Sequence, residues 1–399
     1  MTAIDKKALR EQKRLEKARK KEESYYMASQ WTLMARKLVK HKLAQISMVI
    51  LIIMYFGVIF ADFIAPYGLG VNDKAKDRAP TPIHLFHKGE FIGPFVYKTE
   101  YVDITKGMSA VEKAKLRKEA KARGEEFVAV KLVTDTETPY PIKLLAKGDP
   151  YTWLGIKSDV HLFGTEAKDV GVYLFGTNSM GKDIFSLILL GSRVSLTIPF
   201  AGTAISFVLG ILLGSISGYF GGWVDNVIQR VIEVLNSLPS LPLWMALSAA
   251  IPPNIPSAQM YLLITIILSL LGWTGLARVV RGKFMSLKNA DFVTAARLAG
   301  VSDMTIIFRH LVPGFMSYLI VSLTLGIPGM IIGETSMSFL GLGIQAPATS
   351  WGVLLKDAQN VTNIAKHPWT LIPLIFVVIA VLAFNFLGDG MRDAADPYK

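Results

Sequence analysis

The chain has 399 residues, of which 51% are apolar and only 19% are charged, and its mean hydropathy is +0.39. Cysteine is absent, which excludes disulfides, thiolate nucleophiles and cysteine-ligated metal sites. The net charge of +12 is compatible with a nucleic-acid partner, but its distribution is better explained by membrane topology, and several uncharged runs reach the length of a bilayer crossing.

The N-terminal tail, residues 1–42, is strongly basic. Residues 1–45 hold 13 Lys or Arg and five Asp or Glu, which gives 13 − 5 = +8 just before the first apolar run. The positive-inside rule therefore places this tail in the cytosol, where it is expected to touch lipid headgroups rather than nucleic acid. The first span is predicted within residues 43–65, because Leu43–Ala61 is uncharged and is about 28 Å long as a helix.

Residues 66–190 form a long, lysine-rich connection between the first two spans. A loop longer than about 60 residues no longer obeys the charge rule, so its lysines do not fix its side of the membrane. Counting spans places it outside, as an extracytoplasmic insertion and lead-in to the next span. Within it, Val111–Glu126 has the charge spacing of a solvated helix.

Gly176–Asp183 nearly matches the phosphate-binding pattern G-x-x-x-x-G-K-[ST]. Asp183 stands where that pattern needs a hydroxyl to hold magnesium, and it would bring negative charge to the phosphates. We therefore interpret the segment as a structural turn. The chain is expected to bind no ATP, magnesium or other metal ion itself.

Four further uncharged runs complete the membrane part, which we predict to occupy residues 191–390. Val194–Val224 gives one span, and Val234–Ala277 gives two because it is broken at Ile251–Pro256. Pro313–Gly333 and Pro368–Leu387 give the last two. The fold class is thus an all-α polytopic membrane protein of six transmembrane helices, with residues 391–399 as a cytosolic C-terminal tail.

Residues 278–312 form a basic loop that the charge rule and the span count both place in the cytosol. Its residues 291–313 predict two short helices, the first capped by Asn289 or Asp291 and ended by Gly300. Ser302 or Asp303 is predicted to cap the second helix.

The first helix of this loop carries a stripe of small residues and one aromatic residue. Phe292, Ala295, Ala296 and Ala299 have helical spacing, so a partner's groove could approach the backbone closely while Arg297 pairs with an acid. The alternative is a plain interfacial helix that packs on its own protein.

The loop resembles the EAA loop of bacterial ABC-importer permeases, whose form is E-A-A-x3-G-x9-I-x-L-P. The chain has Thr294-Ala295-Ala296, then Gly300, then Leu311 and Pro313, so Thr294 replaces the glutamate and with it any ionic contact made there. Pattern and resemblance together assign ATPase coupling to these residues: Phe292, Thr294, Ala295, Ala296, Arg297, Gly300, His310 and Pro313.

The resemblance extends over residues 31–68 and 174–398, through motifs such as FGTNSMGKDIFS, SGYFGGWVDNVIQRVIE and GETSMSFLGLGIQAP. These motifs are similar to the C-type subunit of the dipeptide/oligopeptide/nickel permease family, and residues 69–173 depart from it as an insertion. The resemblance implies a non-enzymatic permease in the bacterial inner membrane with both termini cytosolic. It implies four partners: a second permease, distinct or identical, two cytosolic ATPases that bind the ATP and magnesium, and an extracytoplasmic binding protein.

The cargo is not fixed by any motif. Peptides are what the resemblance favours, and oligosaccharides or nickel are the alternatives within the family. Asn236, Ser237 and Glu334 are the candidates for the substrate path, because they are the polar groups in or near the spans. A secondary transporter or channel is a further alternative, although repeats and membrane-buried acids for ion coupling are not evident in the sequence.

Overall fold

The computed structural model describes residues 30–103, 105, 108–122, 130–153, 155–167, 169–252, 255–345 and 348–396. The basic tail before Gln30 lies outside the described residues, and so do the last three residues of the predicted C-terminal tail.

The chain enters the bilayer through a short helix followed by a long one. These are α1 (Gln30–Leu38) and α2 (Lys42–Ile59), and a single turn, α3 (Ala61–Ile64), follows. His41 caps α2, its Nδ1 accepting a hydrogen bond from the Ala44 amide at 3.2 Å. With 18 residues, α2 is about 27 Å long, which suits one crossing as predicted.

The insertion contains β-structure that the sequence analysis did not foresee. A 3-10 turn at Asp73–Ala75 leads into a three-stranded antiparallel sheet whose strands neighbour one another in chain order, and the last two strands form a separate hairpin. One helix, α4 (Ala110–Ala122), covers most of the predicted helical stretch Val111–Glu126, whose residues 123–126 fall outside the described part. The elements are β1 (His84–His87), β2 (Glu90–Asp103), α4 (Ala110–Ala122), β3 (Val130–Pro141), β4 (Lys143–Trp153) and β5 (Ile156–Gly164).

The insertion is attached to the C-terminal end of α2. The indole N–H of Trp153 donates to the carbonyl oxygen of Ile59 at 2.9 Å, and the Trp153 ring stacks on Phe60. The carbonyls in the last turn of a helix have no partner within it, so this bond satisfies one of them. The Tyr67 hydroxyl accepts from the Val172 amide at 2.7 Å and ties the start of the insertion to its end.

Residues 176–183 form a tight turn rather than a phosphate site. The Asn178 Oδ1 accepts from the amides of Met180 and Lys182, and the buried Asp183 caps the next helix through Ser186. A Cβ on Gly181 would lie 1.8 Å from the Asn72 carbonyl oxygen, so the turn is filled by the chain itself.

The second span is α5 (Ile184–Phe220), which begins inside the region assigned to the insertion. It packs along α8 (Ser257–Leu287) through a ridge of glycines, Gly210, Gly214 and Gly218. A Cβ at Gly214 or Gly218 would lie 2.5 or 2.6 Å from carbonyl oxygens of α8, so only glycine permits this approach.

Between these helices the chain forms α6 (Gly222–Ser237) and α7 (Ser240–Ala249), which are bent by 88°. The third span was predicted to begin at Val234, but that residue lies near the end of α6, and Pro239 interrupts the helix between α6 and α7. The predicted break before α8 is present, although part of Ile251–Pro256 lies outside the described residues.

The rest of the chain is helical and crosses the bundle twice. It consists of α9 (Asp291–Leu298), α10 (Asp303–Thr305), a π-helix (Ile306–Leu311), a 3-10 turn (Val312–Phe315), α11 (Met316–Phe339), α12 (Trp351–Leu354), a 3-10 turn (Leu355–Gln359), α13 (Val361–Lys366), a 3-10 turn (Pro368–Leu371) and α14 (Ile372–Ala395). Among the described residues, five helices are long and apolar enough to cross a membrane, and the number reaches the predicted six when the bent pair α6–α7 is counted as one span.

The crossings give the bundle two ends, which we name by what they carry. The insertion end holds the β-strands and the turn at 176–183, where the Trp369 indole donates to the Thr177 carbonyl oxygen at 2.9 Å. The loop end holds residues 288–302. It also holds α1 and the end of α14, since Met34 contacts Ser317 at the start of α11 at 3.4 Å and Lys37 Nζ donates to the Asp396 carbonyl oxygen at 2.7 Å.

Candidate functional site

The first helix of the loop, α9, begins without a side-chain cap. Ala290 is its N-cap, so the predicted cap by Asn289 or Asp291 is wrong within the described residues. The Ala290 carbonyl oxygen accepts from the amides of Val293 and Thr294 at 3.0 and 3.1 Å. Asp291 instead lies in the first turn, where its charge favours the helix dipole.

Gly300 ends α9 as predicted. Its φ of +75° is left-handed, its amide donates to the Arg297 carbonyl oxygen at 2.9 Å, and the Val301 amide donates to the Ala296 carbonyl oxygen at 3.1 Å. This pair of bonds is the Schellman motif, which turns the chain sharply after a helix. The predicted helix–glycine–helix geometry is therefore present.

The two faces of α9 have different surroundings. Val293 is fully buried and Ala296 is half-buried, and both contact an apolar cluster beneath the loop that includes Phe284, Ile306 and Leu311. This face is the interfacial packing that the sequence left open as an alternative.

The opposite face of α9 is free. Phe292 is 49% exposed and Leu298 is 86% exposed, and Thr294, Ala295 and Ala299 are exposed as well. Of the predicted stripe, only Ala296 is turned toward the protein's own core. The rest of the stripe is available to a partner.

The second half of the loop adds apolar surface that the sequence analysis did not single out. Met304 is 48% exposed and Phe308 is 42% exposed, next to the buried Ile306 and Ile307. Large apolar side chains exposed together in a charged loop are typical of a protein–protein contact. Leu298 and Met304 also stand out in the sequence, as apolar residues in a polar loop.

The remaining predicted coupling residues, His310 and Pro313, are both exposed and lie where the π-helix passes into the 3-10 turn. They follow the exposed residues of the loop and precede α11. The loop is thus directly continuous with a spanning helix.

Tyr219, at the end of α5, joins both halves of the loop. Its hydroxyl donates to Asp303 Oδ1 and accepts from Arg297 Nε at 3.2 Å, and the Arg297 guanidinium lies 5.0 Å from the centre of its ring. Arg297 belongs to the first loop helix and Asp303 to the second. We call these three residues the tyrosine clamp; no sequence pattern signals it, because Tyr219 is 84 positions from Asp303 in the chain.

A second fastening at the loop end is an ion pair between α6 and α8. Arg281 donates from Nε and Nη2 to the two oxygens of Asp225, both at 2.6 Å, and Ser217 of α5 also donates to Asp225. The pair is partly screened from solvent, with 30% of the Arg281 and 13% of the Asp225 side chain exposed. These bonds therefore hold the ends of α5, α6 and α8 together next to the loop.

The three candidates for the substrate path are not brought together. Asn236 and Ser237 are exposed at the end of α6, where Asn236 Oδ1 accepts from Thr274 of α8 at 3.1 Å. Glu334 is fully buried on α11 and accepts from Ser338 at 2.7 Å and from Ser195 of α5 at 3.2 Å.

The comparisons with known proteins agree with this architecture. A family model described as "Binding-protein-dependent transport system inner membrane component" matches residues 210–398, and the N-terminal TM domain of oligopeptide transport permease C matches residues 29–80. The oligopeptide transport system permease protein OppC of Haemophilus influenzae is 41% identical over 57% of this chain and 71% of that protein. The chain belongs to this family of transport permeases.

Two further relatives place this permease in the same group. The dipeptide transport system permease protein DppC of Bacillus subtilis (strain 168) is 39% identical over 56% of the chain and 68% of that protein. OppC of Escherichia coli (strain K12) is 42% identical over 56% of the chain and 72% of that protein. The two family models leave residues 81–209 unmatched, which include all five strands of the insertion.

A solved structure of the MetNI methionine ABC transporter in an inward-facing conformation is similar to 53% of this chain and 96% of its own. The TM-score is 0.41 and the sequence identity 17%. So distant a likeness supports no functional conclusion.

Proposed function

We propose that this permease forms half of the transmembrane path of an ATP-driven peptide importer and is moved by separate ATPases that dock on its loop end. The observation that carries the proposal is the two-faced loop helix α9. One face is anchored in the protein through Val293, whereas the other exposes Phe292, Ala295 and Leu298. An anchored helix with an apolar outer face can both bind a partner and transmit its movement.

The proposal places the loop end in the cytosol of a bacterial cell and the insertion end outside its inner membrane. The basic residues of the tail and of the loop support this orientation. Both termini would then be cytosolic. A soluble binding protein would deliver cargo from outside, and a second permease would supply the other half of the path.

Peptide is the cargo that we propose, because relatives about 40% identical are named as oligopeptide and dipeptide permeases. In this role the chain binds no ATP and holds no cofactor, and its ATPase partners bind ATP and magnesium. The turn at 176–183 supports this, since Gly181 packs on Asn72 where a phosphate would need room.

Movement would pass from the loop to the spans through the tyrosine clamp and through the continuous chain from Asp303 to Phe339. The clamp attaches both loop helices to the end of α5, and the π-helix leads through one 3-10 turn into α11. When the ATPases close, the docked loop would shift, and α5 and α11 would be displaced together.

The test is a charge placed on the free face of α9. We expect Ala295→Glu to lower peptide uptake by about tenfold or more, because a carboxylate against an apolar partner surface weakens docking by ~1.4 kcal/mol or more. The matched control is Ala35→Glu, which changes an exposed alanine of α1 at the same end of the bundle. Normal uptake in Ala295→Glu, or an equal loss in both variants, would count against docking at α9.

A further inference from the structure

The hairpin of β4 and β5 ends in a turn that lies against the first span. At this turn Trp153 pairs with Ile156 across the two strands, and we call these two residues the hairpin tip. The Trp153 indole donates to the Ile59 carbonyl oxygen at 2.9 Å, and its ring stacks on Phe60 with 5.3 Å between the ring centres. A part of the insertion that the two family models leave unmatched therefore touches the C-terminal end of α2.

The hairpin descends toward the membrane from its open end to its tip. At the open end Phe163 of β5 packs on Phe185 of α5, with 5.9 Å between the ring centres. About two turns further along α5, Arg193 bonds to both carboxylate oxygens of Asp62 and to the Val58 carbonyl oxygen, next to the place where the tip touches α2. Two turns of helix rise by about 12 Å, so the tip lies about that much closer to the membrane than the open end does.

The ion pair between Asp62 and Arg193 marks the edge of the hydrocarbon layer. The uncharged run of the first span ends just before Asp62, and that of the second span begins just after Arg193. Charged side chains are costly inside hydrocarbon, so both helices leave the layer at this level. Trp153 is bonded to Ile59, in the turn before Asp62, and the tip therefore lies at the level of the lipid headgroups. Tryptophan is enriched at that level, because its ring is apolar and its N–H is polar.

The exposed surface of the tip continues the exposed surface of α2. Ile156 is 64% exposed. On α2, Ile52, Phe56 and Ile59 have helical spacing and are each more than half exposed, so they form one apolar stripe that runs down the span from the tip. Lys157 follows Ile156, is exposed, and has a side chain long enough to reach lipid phosphates.

The composition of this surface favours lipid over a protein as its occupant. Contacts between spanning helices are rich in small residues that let the backbones approach, whereas the stripe on α2 consists of isoleucine and phenylalanine. A soluble binding protein could cover the tip but not the stripe, which continues to bilayer depth. Lipid is the one occupant that covers both.

We propose that the hairpin tip enters the lipid leaflet on the insertion side, with Ile156 among the acyl chains and Trp153 at the headgroup boundary. The tip then holds the insertion on the membrane surface beside the first span. This lipid contact is independent of the cargo and of the ATPases, since it requires only that α2 crosses a bilayer.

A spin label at the tip tests the proposal. The chain has no cysteine, so Ile156→Cys gives a single labelling position on it. Ile52→Cys, on the stripe of α2, gives the value for a label in lipid. Leu144→Cys is the matched control on the same hairpin, because Leu144 pairs with Phe163 at the open end and is 77% exposed.

Each labelled chain is assembled with cysteine-free partner subunits and reconstituted in lipid vesicles. Collisions of the label with oxygen, which concentrates in lipid, are compared with collisions with a water-soluble nickel chelate. We expect the oxygen-to-nickel collision ratio at position 156 to be severalfold higher than at position 144 and to approach the ratio at position 52.

Two results would overturn the lipid contact. An oxygen-to-nickel ratio at position 156 that equals the ratio at position 144 means that the tip stands in water. Weak collisions with both reagents at position 156, while both reach position 144, mean that a protein surface covers the tip instead of lipid.

Discussion

Removing one oxygen atom from the tyrosine clamp tests how the loop is coupled to the spans. Tyr219→Phe deletes the hydroxyl that donates to Asp303 and accepts from Arg297 at 3.2 Å. The aromatic ring remains, so its packing and the guanidinium at 5.0 Å are kept. A cation over an exposed aromatic ring contributes about 0.5–1 kcal/mol, and the variant preserves this contribution.

The size of the effect follows from the bonds that are lost. A hydrogen bond to a charged group contributes about 1.5–3 kcal/mol, but Asp303 and Arg297 are exposed and water replaces much of each bond. Together the two bonds should therefore contribute about 1–3 kcal/mol to holding the loop on α5. That free energy corresponds to about a 5- to 150-fold shift toward the unclamped arrangement.

The assay measures ATP hydrolysed per peptide imported in vesicles that hold the complete transporter. Tyr219→Phe should keep ATP hydrolysis and raise this ratio severalfold, because the ATPases would move a loop that no longer pulls α5. Tyr318→Phe is the control, since Tyr318 lies in α11 near the same end and is 40% exposed. An unchanged ratio in Tyr219→Phe, or an equal rise in Tyr318→Phe, would refute the clamp.

Three further expectations concern backbone and charge. Gly300→Ala should lower the free energy of unfolding by about 1–2 kcal/mol and reduce uptake, because Gly300 has a φ of +75°, which alanine adopts only at a cost. A Cβ at Gly300 would meet no atom within 4 Å, so the backbone conformation alone is tested. Gly314→Ala is the control and should have little effect on thermal melting or uptake. Gly181→Ala should reduce the amount of folded protein recovered from membranes, since its Cβ would lie 1.8 Å from the Asn72 carbonyl oxygen. Burial raises the pKa of Asp183 to about 6. The stability that the protonated carboxyl contributes below about pH 4 should therefore be lost as the pH rises through 6. In Asp183→Asn, Tm should change little between about pH 4 and 7.

The helical membrane domain could be predicted because its signals are local. An uncharged run of bilayer length, such as Leu43–Ala61, indicates a membrane-spanning helix. Gly300, placed after a short helix, indicates the left-handed turn that ends that helix. The exposed positions on α9 followed the helical period, apart from Ala296. The bend between α6 and α7 was missed, although Pro239 marks the place in the sequence.

The remaining features depend on contacts between distant residues. Tyr219 reaches Asp303 across 84 positions of sequence, so no window along the chain could reveal the clamp. The strands of the insertion are exposed on much of both faces, which blurs the alternation of apolar and polar residues that identifies a strand.

The central claim is that the free face of α9 contacts a separate ATPase in the cytosol. The chain has no cysteine, so Ala295→Cys introduces a unique thiol at that face. In membranes that hold the complete transporter, a short bifunctional crosslinker should join this thiol to the ATPase subunit, and a membrane-impermeant reagent should fail to label it in intact cells. Labelling from outside the cell, or no crosslink to any ATPase, would contradict the account.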